Sequence, residues 1–363
     1  MTDFTQTIED IEKEIRETPY HKGTEHHIGK LRARLAKLKD KQIEGYIKAK
    51  GSGGGGGGYA VKKHGDATVV LIGPPSAGKS TLINKITNAE SKVAAYAFTT
   101  VSVVPGMLKY NDAYIQIFDL PGLIQGAGLG KGRGKEVLSV ARTSDLLVII
   151  SDVDRPEVLI NIQDELEKTG IRINKIRPNI KFVKRIEGGI EVKTNIKQDI
   201  SKDLVRDIAS EFGYKNGEIT LNQKITVEDL IDTFSSNRSY INAIFVLNKI
   251  DKNKPNPKTL PENTLFMSAD KEIGIEEFKD ALWNSLRLVK VYLIEPDEEP
   301  NTNHPIIMRE GDTLMDIAMT IGDDFASDKK LAKIWGKKAH YQGQEVPLTT
   351  TVEEGLMVRF LQA

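Results

Sequence analysis

A glycine-rich loop between a predicted strand and a predicted helix carries the chemistry that the rest of the chain must position. Residues 73–81 fit the phosphate-binding pattern G-x-x-x-x-G-K-[ST]. The apolar run 67–72 before them predicts a buried strand, and residues 81–86 predict the start of a helix. Backbone N–H groups of such a loop, with the positive end of the helix behind them, favour a bound phosphate. The candidate nucleotide-binding residues of this loop are Gly73, Pro74, Pro75, Ser76, Ala77, Gly78, Lys79, Ser80 and Thr81.

Side chains in and after this loop are suited to a triphosphate and its metal. Lys79 can reach the β- and γ-phosphates, and the Ser80 hydroxyl can ligate Mg²⁺. Farther along, an apolar strand delivers Asp119 to its carboxyl end, where the carboxylate can hold the same Mg²⁺ through water. The Gly122 N–H can then bond the γ-phosphate. Losing that phosphate would release the glycine-rich segment that follows, which makes the segment a switch.

A pair of threonines in the loop after the first helix offers one more hydroxyl to the metal. Either Thr99 or Thr100 could complete the Mg²⁺ coordination and sense the γ-phosphate, and we favour Thr100 although little separates them. The predicted catalytic residues are Lys79, Thr100 and Gly122, and the predicted metal ligands are Ser80, Thr100 and Asp119.

A second motif predicts which base the nucleotide carries. Residues 248–251 read N-K-x-D after a buried strand. Asp251 can accept hydrogen bonds from guanine N1–H and the 2-amino group; adenine offers neither donor, so a carboxylate there selects GTP over ATP. Asn248 is expected to brace the loop and Lys249 to pack over the base. The backbone of Ser268 and Ala269, after a further strand, can bond guanine O6.

Composition limits the remaining possibilities. The 363 residues allow two or three domains, and 51 basic residues balance 51 acidic ones, so any surface for a polyanion must be local. The absence of cysteine excludes disulfides, thiolate metal sites and cysteine nucleophiles. No apolar run approaches the roughly 18–20 residues of a membrane span, and residues 1–4 suggest no signal peptide. We expect a cytoplasmic monomer without a membrane partner.

The region before the phosphate loop predicts two helices and a hinge. Ile8, Ile11 and Ile15 share one face of a first helix that should end near Thr18, and an apolar stripe at 28–38 indicates a second helix that pairs with it. The glycine run 51–58 is typical of a flexible hinge. The exposed positions of the second helix are mostly basic, which fits either a solvated face or an arm that contacts RNA phosphates. The cations in question are Lys30, Arg32, Arg34, Lys37, Lys39, Lys41, Lys48 and Lys50.

Two further regions flank the nucleotide motifs. Residues 156–240 predict a small α+β insertion with helices near 157–168, 202–212 and 226–234. The strand patterns 180–186 and 190–194 are interpreted as a hairpin that turns at Gly188 and Gly189. Residues 291–363 predict a compact β-grasp-like module with a helix that begins at Leu314.

With these motifs in place, the chain resembles the developmentally regulated GTP-binding protein (DRG) family, archaeal type, of the Obg-like translation-factor GTPases. The resemblance covers essentially the whole chain. It implies an α/β phosphate-loop NTPase fold (Ras-like G domain) with an N-terminal helical hairpin, an insertion similar to ribosomal protein S5 domain 2 and a C-terminal TGS domain. The corresponding ranges are 1–58 for the hairpin and hinge, 59–155 and 241–290 for the G domain, 156–240 for the insertion and 291–363 for the TGS domain.

The resemblance also implies a GTPase that uses Mg²⁺ and acts with the ribosome or RNA, and in eukaryotic relatives with a dedicated partner protein. Where Ras-like switches carry a water-orienting glutamine, this chain has Leu123, so intrinsic hydrolysis is expected to be slow and stimulated by a partner, the ribosome or K⁺. Potassium-activated relatives often carry asparagine where this chain has Ser76, which leaves K⁺ open as a cofactor. The alternative is an RNA- or ribosome-binding module that holds GTP only as a structural ligand.

Overall fold

The computed structural model describes residues 2–50, 65–87, 104–121, 133–253 and 260–362. The chain divides into a first unit, residues 1–58 with 170–240, and a second unit, residues 59–169 with 241–363. The elements up to residue 168 are α1 (Thr2–Glu17), α2 (Glu25–Lys50), β1 (Ala67–Gly73), α3 (Lys79–Ile86), β2 (Val104–Tyr110), β3 (Ala113–Pro121), α4 (Arg133–Thr143), β4 (Leu146–Asp152) and α5 (Val158–Lys168).

The remaining elements lie between residues 171 and 362. They are β5 (Ile171–Ile173), β6 (Ile180–Lys184), β7 (Ile190–Thr194), α6 (Lys202–Glu211), β8 (Gly217–Leu221), α7 (Val227–Phe234), β9 (Ser239–Asn248), β10 (Leu265–Phe266), α8 (Ile275–Leu286), β11 (Leu288–Leu293), β12 (Pro305–Arg309), α9 (Leu314–Ile321), α10 (Asp323–Ser327), β13 (Lys329–Trp335), β14 (Gln344–Pro347) and β15 (Leu356–Gln362). Among the described residues, no helix combines the length and apolar character that crossing a membrane requires.

The sheet of the second unit brings the carboxyl ends of its parallel strands to one edge. Along the strand order β10-β9-β4-β1-β3-β2, β2 runs antiparallel to β3 and the other neighbouring pairs are parallel. Every residue of β1 and of β4 is buried, as expected for strands covered on both faces. Ligand sites of open parallel sheets lie at this edge, where β1, β3, β4 and β9 end.

The C-terminal part of the second unit forms a separate five-stranded sheet. Its strand order is β12-β11-β15-β13-β14, with β11 parallel to β15. Helix α9 begins where the sequence predicts, because Thr313 and Asp316 form a capping box at its N-terminus. Leu314 and Ile317 of this helix are fully buried against the sheet. This mixed sheet with one packed helix has the β-grasp-like form that the sequence predicts.

The first unit packs helices α2, α6 and α7 against one another and adds a three-stranded sheet. The predicted helices at 202–212 and 226–234 are confirmed. The predicted hairpin is wrong: the strand order is β6-β8-β7, so β8 lies between the two strands expected to pair. The alternation of apolar residues predicts both edge strands, but it did not predict the central strand β8, in which three of five residues are buried.

The basic face of α2 is largely occupied within the first unit. Lys30 Nζ lies 2.6 Å from Asp207 Oδ2, and Arg32 pairs with Glu228. Lys37 donates to the Glu211 carbonyl oxygen. These contacts attach α2 to α6 and α7, whereas Arg34 is exposed. Lys30, Arg32 and Lys37 therefore have structural partners, and the proposed contact of this helix with RNA phosphates stays a prediction. The glycine run 51–58 lies outside the described residues.

Candidate functional site

The phosphate loop connects the buried end of β1 to the N-terminus of α3. Gly78 is the N-cap of α3 and has a left-handed backbone with φ of 95°. A Cβ atom there would lie 2.1 Å from the Asn248 side-chain nitrogen, and one at Gly73 would lie 2.1 Å from the Ile150 carbonyl oxygen. Gly73 is therefore required by the close approach of the neighbouring strand β4. Gly78 is required by the Asn248 side chain and also by its left-handed backbone conformation.

Lys79 lies at the centre of this loop. Its side chain is 8% exposed, and its Nζ donates to the carbonyl oxygens of Gly73 at 3.0 Å and Pro74 at 3.1 Å. Burial lowers the pKa of Lys79 below its usual value, and the Asp119 carboxylate, 3.8 Å away, offsets part of this effect. The ammonium group is thus held inside the curl of the loop, where an anion would be placed.

Ser80 and Asp119 place two oxygen-bearing side chains next to each other beside the loop. The Ser80 hydroxyl donates to Asp119 Oδ2 at 2.8 Å. The other carboxylate oxygen, Oδ1, is buried and has no hydrogen-bond partner among the described residues. A buried carboxylate oxygen without a donor fits a hard cation such as Mg²⁺, which binds through one or two carboxylates and substrate phosphates. Thr100 and Gly122, the other predicted members, lie outside the described residues.

Asn248 connects the phosphate loop to the loop of the second motif. Its side chain is 2% exposed and uses both ends of the amide. The nitrogen donates to the Ala77 carbonyl oxygen at 2.8 Å, and the oxygen accepts from the Ala269 N–H at 2.9 Å. Three segments far apart in sequence are thereby held at the same edge of the sheet.

Lys249 adds a second connection to the phosphate loop. It has a positive φ of 64°, and its Nζ donates to the Ser76 carbonyl oxygen at 2.5 Å. The same nitrogen lies 3.4 Å from Asp152 Oδ2. The aliphatic part of the Lys249 side chain therefore extends across the site toward the phosphate loop.

Sequence reasoning did not identify Asp152 and Arg155, which complete this arrangement. Asp152 ends β4 and is nearly fully buried, and Arg155 Nη2 lies 2.7 Å from its Oδ2. The same Nη2 donates to the Pro75 carbonyl oxygen at 3.1 Å. Burial alone would raise the pKa of Asp152, but Arg155 and then Lys249 lower it below its usual value. The available signal was a carboxylate at the end of a parallel strand, the position that Asp119 also occupies.

Asp251 presents an exposed carboxylate next to Ser268. A hydrogen bond from the Ser268 side chain is the main cause that lowers the pKa of Asp251. The Ser268 N–H donates to the Ile273 carbonyl oxygen at 3.0 Å, and the Ala269 N–H donates to Asn248. A guanine O6 at this position would therefore share the Ala269 donor with Asn248. Thr81, the last residue of the first motif, is exposed on α3.

Comparison with known protein families matches three segments of the chain. Residues 68–184 match a family described as 50S ribosome-binding GTPase, residues 187–288 match the C-terminal region of that domain, and residues 289–362 match the TGS domain. An uncharacterized GTP-binding protein of Methanocaldococcus jannaschii is 40% identical over 96% of this chain and 90% of its own length. Developmentally-regulated GTP-binding protein 2 of Homo sapiens is 35% identical over 98% of this chain and 99% of its own length.

The chain belongs to the developmentally regulated GTP-binding protein family. As a member of this family it is a GTP-binding protein with a phosphate-loop GTPase domain and a C-terminal TGS domain, which confirms the predicted fold class. Phosphate-loop GTPases generally use Mg²⁺, and the DRG-family residues Ser80 and Asp119 fit that ion. Among solved structures, the YchF GTPase of Schizosaccharomyces pombe is 16% identical over 83% of this chain and 99% of its own, with a TM-score of 0.45; the family assignment rests on the full-length relatives.

Proposed function

We propose that this DRG-family chain is a Mg²⁺-dependent GTPase that hydrolyses GTP to GDP and phosphate and acts as a switch in translation. The observation that carries the proposal is the double hydrogen bond of Asn248, which holds the phosphate loop and the base loop together. A triphosphate site and a base site joined through one buried side chain can bind one nucleotide at both ends. Ser80, Thr100 and Asp119 would hold Mg²⁺, which would supply positive charge that offsets the negative charge of the phosphates.

The proposed roles follow the chemistry of each group. Lys79, Thr100 and Gly122 contact the γ-phosphate, and Ser80, Thr100 and Asp119 hold the metal. Asp251 selects guanine through two hydrogen bonds, Lys249 covers the base, and Ser268 with Ala269 faces guanine O6. The exposed Asp251 carboxylate supports this assignment, because its pKa is lowered and the group stays ionised when it meets guanine.

The proposed cellular setting is the cytoplasmic ribosome. The description of the family that matches residues 68–184 as ribosome-binding supports this setting. Intrinsic turnover is slow because Leu123 cannot orient water, so the ribosome, a dedicated partner protein or K⁺ raises the rate. The same leucine favours a second candidate function, an RNA- or ribosome-binding module in which GTP is a structural ligand with negligible turnover.

Base selection is tested by calorimetry with GTP, ATP and XTP. The wild-type chain should bind GTP at least about 100-fold more tightly than ATP, because ATP leaves the Asp251 carboxylate without donors. Asp251→Asn should shift the preference toward XTP. Asp270→Asn, a change of the same type at a neighbouring exposed carboxylate, should leave the preference unchanged. Equal binding of GTP and ATP by the wild type would refute the proposed site.

Turnover separates the two candidate functions. Phosphate release from GTP is measured with and without purified 50S subunits, in matched KCl and NaCl buffers. A rate that rises with subunits or with KCl supports the GTPase switch. Binding of GTP without phosphate release under every condition supports the structural-ligand module instead.

A further inference from the structure

The first unit contains an open pocket that the GTPase site does not use. It has a volume of about 510 Å³ and lies where the end of β6 meets the turn before β8. Its lining residues are Lys184, Arg185, Ile186, Gly213, Tyr214, Lys215 and Asn216. Three of these seven residues are cations and none is acidic, so the pocket favours an anionic ligand.

Two of the three cations are available to a ligand. Lys184 and Lys215 are exposed, and neither pairs with a carboxylate among the described residues. Arg185 differs, because its guanidinium lies 2.9 Å from Glu191 and also contacts Glu218. Arg185 is therefore held in place by the sheet, while the two lysine side chains can move to meet a phosphate.

The pocket also has an apolar wall with a fixed position. Tyr214 is half-buried, and its ring packs edge-on against Phe182, with centroids 4.6 Å apart. Ile186 is 97% exposed, although its backbone is fixed because the Asn216 side chain donates to its carbonyl oxygen at 2.9 Å. An exposed isoleucine beside an anchored tyrosine can receive a flat apolar surface such as a nucleobase.

We propose that this pocket binds one nucleotide of single-stranded RNA. Lys184 and Lys215 contact the phosphates, and the base lies against Tyr214 and Ile186. The pocket is open to solvent, and Ile186 on its wall is 97% exposed. A nucleotide bound there can continue into a chain on either side, which favours a polymer over a free mononucleotide. This inference rests on the proposed association with the ribosome or RNA and names the surface that contacts the RNA.

The test measures binding of fluorescein-labelled 12-nucleotide uridine and adenosine RNAs by anisotropy at several salt concentrations. The wild-type chain should bind with a steep salt dependence. In the variant Lys184→Glu with Lys215→Glu, the affinity should fall, and the slope of log K against log salt should become shallower by about 1.4. Both lysines are exposed, so folding should be retained, and circular dichroism verifies this.

A matched control carries the same change of charge in the same unit. Lys22→Glu with Lys202→Glu replaces two exposed lysines outside the pocket and should leave the slope unchanged. A second variant, Ile186→Ala, should weaken binding without changing the slope, because it removes a contact to the base and no charge.

Three results would overturn the proposal. The first is that the wild-type chain binds no RNA, and the second is that the control pair lowers RNA affinity as much as the pocket pair does. The third is that a poly-glutamate peptide competes more strongly than unlabelled RNA, which would indicate an acidic protein partner. GTP affinity is measured in parallel and should be unchanged in all variants. A wild-type chain that binds RNA but not GTP would refute the GTPase proposal and leave this pocket supported.

Discussion

The side-chain nitrogen of Asn248 lies 2.8 Å from the carbonyl oxygen of Ala77, which couples the base loop to the phosphate loop. Since the other end of the amide holds the Ala269 N–H, neither loop can shift without breaking a buried hydrogen bond. Gly78 follows Ala77 and has room only for hydrogen at its Cα, because Asn248 occupies the space of a Cβ. One asparagine therefore sets the spacing between the two ends of the nucleotide site.

Gly78→Ala tests this coupling. The new Cβ would lie 2.1 Å from the Asn248 nitrogen, in a left-handed backbone, so Asn248 should be displaced from Ala77. Loss of this buried bond should weaken GDP binding at least about tenfold, as measured by calorimetry. Gly355→Ala is the control, because Gly355 also has a positive φ but nothing lies within 4 Å of its Cβ position. If GDP binds both variants equally well, Asn248 does not set the loop spacing.

Ser268→Ala should change the acid limit of guanine-nucleotide binding. The Ser268 hydroxyl is the main cause of the lowered pKa of Asp251, so the carboxylate stays charged until the pH falls through that lowered value. Without the hydroxyl, the pKa should rise toward the usual 3.8, and the loss of GDP affinity on acidification should begin at a higher pH. Fluorescent GDP titrations across pH measure this shift. In an Asp251→Asn background, Ser268→Ala should produce no shift; a shift there would assign the effect to another group.

The metal pair gives a prediction about Mg²⁺. Asp119→Asn replaces the carboxylate whose Oδ1 is buried without a donor among the described residues. The Mg²⁺ concentration at half-maximal GTP affinity should rise by about 10–100-fold, and chelation should weaken GTP binding by the wild type. Ser80→Thr keeps the hydroxyl and should keep the wild-type Mg²⁺ requirement. An unchanged requirement in Asp119→Asn would remove Asp119 from the metal site.

Much of this site was predictable because its residues end consecutive parallel strands. The pattern around Gly73 and Gly78 and the position of Asp119 near the carboxyl end of β3 place them at one edge of the sheet once the strands are assigned. The same reasoning placed Asn248 there. Asp152 was missed because the carboxylate alone is no motif; its role depends on Arg155 and Lys249, which reach it from different loops.

The first unit was less predictable because its contacts are distant in sequence. The stripe that includes Ile28 and Leu31 located α2, but nothing near Arg32 in sequence indicates that it pairs with Glu228, 196 residues away. The hairpin prediction was wrong for a related reason. The local alternation of apolar residues locates strands, but it does not show which strands pair. The pairing depends on β8, which begins 23 residues after the end of β7 and joins β6 and β7 through contacts distant in sequence.

Arg155→Gln should accelerate GDP dissociation. The guanidinium holds the Pro75 carbonyl and the buried Asp152 together, so its loss frees one side of the phosphate loop. Because the Arg155 side chain is 39% exposed, water replaces part of the interaction, and we expect an increase of about 2–10-fold in the dissociation rate. Stopped-flow displacement of fluorescent GDP measures it. Arg287→Gln, which breaks an exposed pair with Glu310, is the control; equal rates in the two variants would show that Arg155 does not position the loop.

Asp40→Ala should destabilise the first unit, because Asp40 attaches α2 to the segment after α7. Its carboxylate accepts from the Ser235 hydroxyl and lies 3.1 Å from Arg238 Nη1, and both charged side chains are less than 10% exposed. Removing the Asp40 carboxylate takes away one of the two carboxylates on the buried Arg238, which keeps Asp232 at 2.8 Å, and leaves the Ser235 hydroxyl without its acceptor. We therefore expect a loss of about 1–3 kcal/mol of unfolding free energy. Urea unfolding followed by hydrogen exchange in α2 and α7 should show the loss. Arg34→Ala, an exposed change on the same helix, should cost less than about 0.5 kcal/mol; similar values for the two variants would show that α2 is held by its apolar face alone.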